Sequence, residues 1–225
     1  MLLVVAHGSD EPAARLIRRW DDRGARLLTP RDLSTAGWQF RVGGIGPGWA
    51  VASGERIATD AIRGVVTRLP VVREEDLGHI GVEDRPYVAT EMTSFLIAWL
   101  TSLSCSVLNR PSATSLLGPT FGQEQWIFLA ARAAMRLESK PLDQPRPLPT
   151  VPVSVIGDRW IGDVDQALGA QSVKLARLAG AELLTVRFDG RDGRAPFVSA
   201  EPLVDVARDE IADALLERLE RKVAA

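Results

Sequence analysis

Few residues of this chain have the type and spacing that chemistry needs. His7, Ser9 and Asp10 are a base, a nucleophile and an acid by residue type. Neighbours in sequence rarely reach the geometry in which the base touches the nucleophile and the acid orients the base. His7 therefore reads as a surface-loop residue. His79, the other histidine, falls in a second loop, with no spacing that would put both imidazoles on one metal. Cys105 is the single cysteine. Its apolar surroundings favour an inert buried thiol over a nucleophile, and a lone cysteine forms no internal disulfide, which fits a reducing cytoplasm. The cluster Gly43-Gly44-Ile45-Gly46-Pro47-Gly48 is open to two readings, a phosphate loop and a hairpin turn. A dinucleotide fingerprint needs Gly-x-Gly-x-x-Gly between a strand and a helix N-terminus, whose amides hold the pyrophosphate. Here the spacing differs, Pro47 has no amide hydrogen and a strand follows, so the turn is the better reading.

The elements that would position such residues follow from periodicity. Segment 83–137 organises the chain. Val88, Met92, Phe95, Leu96, Trp99 and Leu103 recur at steps of three and four and mark one face of a helix, with Asp84 as cap and Pro86 in the first turn. Ser106-Val107-Leu108 reads as a short buried strand, stopped by Asn109-Arg110-Pro111. Thr120 with Gln123 reads as a capping box for a second helix, whose inner stripe is Trp126, Ala130, Ala133 and Leu137. Upstream, 2–6 is a continuous apolar run, as in a parallel strand covered on both faces. Asp10 caps a helix over 11–23, Gly24 ends it, and 26–29 is the next strand. Trp38, Phe40 and Val42, then Trp49, Val51 and Ser53, alternate around the glycine cluster, and 65–67 is a further buried strand. This β-α-β order predicts an open doubly wound sheet. Phe95, Leu96 and Trp99 make a stripe wider than one small sheet needs, which predicts a homodimer with this helix at the interface.

Four prolines fall within 140–150, an extended linker and the expected boundary between a first domain at 1–139 and a second at 151–225. Beyond it, 151–156 and 159–163 alternate about Gly157-Asp158, a two-residue turn that pairs Val155 with Trp160 and Ile156 with Arg159. A helix over 166–180 turns Leu168, Leu175, Leu178 and Ala179 inward and Gln166, Val173, Lys174 and Arg177 outward. Strands at 183–188 and 195–199 precede a last helix over 202–223. A net charge of −2 gives no global attraction to nucleic acid or anionic membrane, and no run approaches the ~20 apolar residues of a membrane span.

Three stretches carry a resemblance: GVVTRLP at 64–70, YVATE at 87–91 and VLNRPS at 107–112. In this order they resemble the N-terminal domain of ATP-grasp ligases, especially the microviridin-type or graspetide ligases that modify ribosomally made peptides. The order hairpin, helix, two strands, helix after residue 150 resembles the C-terminal part of the same ligases. The implied fold is α/β, a pre-ATP-grasp-like open sheet domain joined to a smaller α+β part, with the central ATP-binding insert missing. Where the family holds magnesium with an Asp and then a Glu and an Asn, this chain has Arg187, then Ser199 and Glu201 within FVSAEP at 197–202. A cation there, with one carboxylate left, is wrong for a site that needs several oxygen ligands.

The resemblance therefore implies a non-catalytic protein without cofactor or metal, similar to the truncated ATP-grasp-like proteins of crocagin-type pathways. Its partners would be a ribosomal precursor peptide, through the leader, and the tailoring enzymes of the same pathway. The hairpin and helix matching 151–180 belong to the leader-binding region of those ligases. Arg159, Trp160, Val173, Lys174 and Arg177 are thus the expected peptide-binding residues, against the alternative that the helix face is only solvated. Two other functions stay open: half of a split carboxylate-amine ligase whose ATP site a partner supplies, and a small-molecule binder using the carboxyl ends of the parallel strands.

Overall fold

An unbroken apolar run becomes a central strand when both of its faces are covered, and β1 (Leu2–Val5) is buried at every position. The computed structural model describes residues 1–42, 48–138 and 150–223. By its packing the chain divides into Met1–Gly118 with the residues from Leu216 on, and Pro119–Leu215.

In the first unit β1 pairs in parallel with β2 (Arg26–Leu28) on one side and β5 (Gly64–Thr67) on the other, and β6 (Ser106–Leu108) pairs in parallel with β5. The sheet order is β2-β1-β5-β6. Helix α1 (Glu11–Arg19) begins where the Asp10 carboxylate accepts the Ala13 amide at 2.9 Å, and Gly24, at φ 65°, closes the turn that follows it. In the short α2 (Pro30–Leu33) Asp32 accepts the Thr29 amide and hydroxyl at 2.8 and 2.7 Å. A separate hairpin joins β3 (Trp49–Ala52) to β4 (Glu55–Ala58). Ser53 and Gly54 turn it at φ 54° and 74°, the left-handed pair that a tight hairpin requires.

That hairpin differs from the expected one. Trp38, Phe40 and Val42 lie in no regular strand, and among the described residues this segment meets β3 through one bridge, Gln39 to Trp49. The glycine turn, apart from Gly48, lies outside the described residues. Trp38 and Phe40 are held by ring contacts instead of a ladder. Trp38 meets Phe95 and Trp99 edge-on, both at 5.2 Å, and Phe40 meets Phe95 at 5.9 Å.

These contacts bear on α3 (Arg85–Ser102), whose Phe95–Leu96–Trp99 stripe suggested a dimer interface. Leu96 and Trp99 are fully buried within the unit, and Phe95 packs under Trp38 and Phe40. The protomer's own core thus accounts for the stripe, which no longer argues for a second copy. Cys105 packs partly buried at the edge of this core. Burial pushes its thiol above the ordinary range. Reaction with an aromatic disulfide at about pH 8 is expected to be ~10-fold slower or more than that of free cysteine, followed by thiolate release.

The second unit holds an antiparallel sheet in the order β10-β9-β7-β8. Helix α4 (Gln123–Arg132) precedes β7 (Val151–Ile156) and β8 (Arg159–Ile161) in sequence. Then come α5 (Gln166–Ala179), β9 (Leu183–Phe188), β10 (Phe197–Glu201) and α6 (Asp209–Val223). The hairpin register is the expected one, Val155 opposite Trp160 and Ile156 opposite Arg159. α4 packs differently from its place in the sequence reading. Trp126, Ala130 and Ala133 share a core with Val153, Val155 and Val186 of the second sheet. Packing therefore changes over at Gly118–Pro119, whereas the linker at 140–150 lies, but for Thr150, outside the described residues. α4 starts at Gln123, with the Gln125 side chain accepting the Gly122 amide at 2.8 Å, in place of a box formed by Thr120 and Gln123. The helix ends at Arg132, so Leu137 falls outside the stripe and is exposed. α6 starts later than expected, and 202–208 run as irregular chain that buries Val204 and Val206.

Candidate functional site

The hairpin and the helix that follows it form the surface on which peptide binding was expected. Strand alternation places Val153, Val155 and Trp160 on the face of the sheet that α5 covers, where they join a core with Leu168, Leu175 and Ala176. The helix is fixed at both ends. Asp165 accepts the Ala167 amide at 2.8 Å, and Gly180, at φ 68°, stops it. Gly169 sits inside this helix for a steric reason. A Cβ there would lie 2.1 Å from Cε2 and 2.3 Å from Cδ2 of Trp160. The indole rests on bare helix backbone and is half-buried.

The five expected residues do not form one patch. Val173 is in the core, because the buried face of α5 also includes Gly169, Ser172 and Ala176 and is wider than the leucine spacing indicated. Arg159 pairs with Ile156 and therefore leaves the opposite face of the sheet from Trp160. Lys174 and Arg177 are exposed three residues apart on α5 and share its outer surface. Trp160, half-buried, and the exposed Lys174 and Arg177 thus remain as the candidates with surface to offer. Gly169 is the residue that sequence reasoning missed. The available signal was a glycine within a helical pattern, which commonly marks close packing. Among the described residues β8 ends the sheet, next to β7, and an edge strand is a place where an extended peptide can add to a sheet.

On the neighbouring strands Arg187 and Ser199 are cross-strand partners, and Arg187 Nη2 donates to Glu201 Oε1 at 2.9 Å. Among the described residues no three His, Cys, Asp or Glu side chains group as metal ligands, and no helix is long and apolar enough to cross a membrane.

No family model and no curated protein sequence matches this chain. Solved structures do share its fold. The macrocyclase MdnC bound with precursor peptide MdnA, from Microcystis aeruginosa MRC, matches with a TM-score of 0.72 at 10% identity, covering 98% of this chain and 99% of that one. ATP-grasp ligase PsnB, complexed with minimal precursor, Mg and ADP, matches at 0.69 and 13% identity, covering 98% of both chains. A Chryseobacterium gregarium RiPP-associated ATP-grasp ligase, in complex with ADP and a leader and core peptide, matches at 0.67 and 10%, covering 98% and 96%. The fold is that of ATP-grasp ligases.

An ATP-grasp fold implies nucleotide and magnesium, and the strands where the sequence resemblance puts the metal test whether it fits. Arg187 brings a guanidinium, Ser199 a neutral hydroxyl, and Glu201 a carboxylate already engaged by Arg187. A hard divalent cation takes anionic and neutral oxygen ligands and is repelled by a fixed positive charge. These residues do not fit it.

Proposed function

We propose that the protein binds a ribosomally made precursor peptide, through its leader, without catalysing a ligation itself. The observation that carries this reading is the likeness of fold, over nearly the whole chain, to ligases crystallised with precursor peptides. The absence of catalysis is supported by the Arg187–Glu201 ion pair on the strands where the fold family holds its metal. It is supported also by the short 138–150 connection, which stands where the resemblance places a long nucleotide-binding insert. Such a protein would present the precursor to the tailoring enzymes of the same pathway, in the manner of the truncated proteins that the sequence resembles.

The peptide lies along the β8 edge and the outer face of α5. Trp160 supplies the apolar anchor, and Lys174 and Arg177 hold acidic groups. The arrangement suits an amphipathic segment: an aromatic platform supplies most of the contact energy and two cations set orientation.

Calorimetry on the full chain tests both halves of the reading, with precursor peptides encoded beside the gene as one titrant and Mg·ATP as the other. Trp160→Ala is expected to cost about 2 kcal/mol of peptide affinity. Arg177→Glu should slow association, and less so at high salt. Mg·ATP should bind no tighter than about 1 mM. Unchanged peptide affinity in both folded variants would move the site elsewhere. ATP binding well below that limit would restore the ligase reading.

A further inference from the structure

In the second unit a cleft of about 600 Å³ opens at the turn between β9 and β10, lined by Arg136, Asp189, Asp192, Gly193, Arg194 and Pro196. That volume is in the range that takes a small molecule, roughly 300–1,000 Å³. Hydrogen bonds fix its walls. The Asp189 amide donates to the Pro196 carbonyl at 3.0 Å, and the Ala195 amide to the Asp192 carbonyl at 2.9 Å. From the segment after α4, Arg136 Nη1 donates to the Arg194 carbonyl at 3.2 Å, and the Phe197 amide donates to the Arg136 carbonyl at 2.8 Å. At the tip of the turn the Arg191 carbonyl accepts the Asp165 amide at 2.8 Å.

The charges on these walls decide what the cleft can hold. Two guanidinium groups and two carboxylates line one space, and among the described residues no ion pair joins any of them. Asp192 is partly engaged, since its Oδ1 accepts the Arg194 amide at 2.9 Å. The Asp189 carboxylate and the Arg194 guanidinium bond to no described group. Elsewhere on this sheet opposite charges do pair, Arg187 with Glu201 at 2.9 Å and Arg191 with Asp163 at 2.6 Å. Here the braced turn holds Asp189 and Arg194 on one cleft but beyond ion-pair distance, which leaves each able to attract a ligand charge. Asp189 is half-buried, where a charge is screened less than on open surface. A lone anion would meet two carboxylates in this cleft, and a lone cation two guanidinium groups. A ligand that brings both signs finds a partner for each.

We propose that this cleft binds a small zwitterion, a molecule with one ammonium and one carboxylate, as in a free amino acid or a short unblocked peptide. The ammonium sits on Asp189, and the carboxylate takes Arg194 with Arg136 lining the same space. None of these residues is among Trp160, Lys174 and Arg177, so this reading and the precursor-binding reading stand or fall separately.

Backbone 15N–1H NMR spectra of the full chain would be recorded during titration with L-alanine and with the dipeptide Ala-Ala, at matched ionic strength. Each ligand would be used free, with its amine acetylated, and with its carboxyl amidated. The amides of Gly190 and Gly193, in the turn itself, report on the cleft. The expected result is a saturable shift of these signals with the free ligands, and binding about fivefold weaker once either charge is blocked. The stronger of the two free ligands identifies the class. Asp189→Asn and Arg194→Gln, at side chains that hold no bond of the fold, should each weaken the free ligand by a similar factor. Acetylation should then cost nothing further in Asp189→Asn, and amidation nothing further in Arg194→Gln. Equal binding of blocked and free ligands would overturn the proposal. So would turn signals that do not saturate below about 50 mM, or blocking penalties that persist in full in both variants.

Discussion

Trp99→Ala is expected to lower the stability of the protein by about 3–5 kcal/mol, the cost of emptying a large aromatic site that cannot collapse. Trp99 is 1% exposed, and its neighbours leave little room to relax. Trp38 meets it edge-on and is itself fixed by donating Nε1–H to the Asp32 carbonyl at 2.8 Å, while Phe95 and Phe40 complete the cluster. The size of the effect should depend on chemistry as well as volume, because Trp99 Nε1 is buried without an acceptor. An orphaned buried donor costs roughly 1–3 kcal/mol. Trp99→Phe removes that donor together with part of the ring, so it should be far milder than alanine. Urea unfolding of wild type and both variants gives the comparison. A midpoint loss for phenylalanine as large as that for alanine would show that the indole N–H is satisfied in solution.

Gly169→Ala carries the second large effect, and its sign depends on Trp160. In an exposed helix alanine is worth about 0.5–1 kcal/mol over glycine. In this helix the new Cβ would fall within 2.1–2.6 Å of three indole atoms, so the ring must leave its seat. Overpacking of this kind costs roughly 1–3 kcal/mol, and the loss of the indole's packing on the second core adds to it. Net destabilisation of about 2 kcal/mol is expected in wild type. With Trp160→Ala already in place the clash is gone, and Gly169→Ala should become stabilising. A double-mutant cycle by thermal unfolding reads this directly, and additive changes would mean that the ring does not rest on Gly169. The same variant tests the peptide surface, since displacing Trp160 should weaken peptide binding even though Gly169 has no side chain to contact a ligand.

The two variants also separate what was legible in the sequence from what was not. Local chemistry fixed the limits of some elements. An apolar triplet at 106–108 and a six-residue run at 183–188 became strands with those bounds. The Gly157-Asp158 turn dictated the register of Val155 on Trp160, and Asp10, Gly24 and Gly180 punctuated helices through caps and left-handed turns that depend only on neighbouring residues. The β3–β4 hairpin was missed because the alternation of Trp38, Phe40 and Val42 looked like a strand, although Trp38 and Phe40 are held by ring packing and Val42 is exposed.

Which surfaces meet was decided by tertiary structure. The inner stripe of α4 was readable as Trp126, Ala130 and Ala133, but an apolar stripe does not specify which sheet it will cover, and it covers the second. Val173 looked outward by leucine spacing and is buried, because Gly169, Ser172 and Ala176 let α5 approach its sheet over a broad face. His7 with Asp76 and Arg68 with Asp10 are pairings across 69 and 58 positions, brought together by parallel strands that end side by side. Periodicity and turn chemistry act over a few residues and so determine elements. A buried ion pair or a ring on a glycine exists only once packing has placed distant segments within a few ångströms.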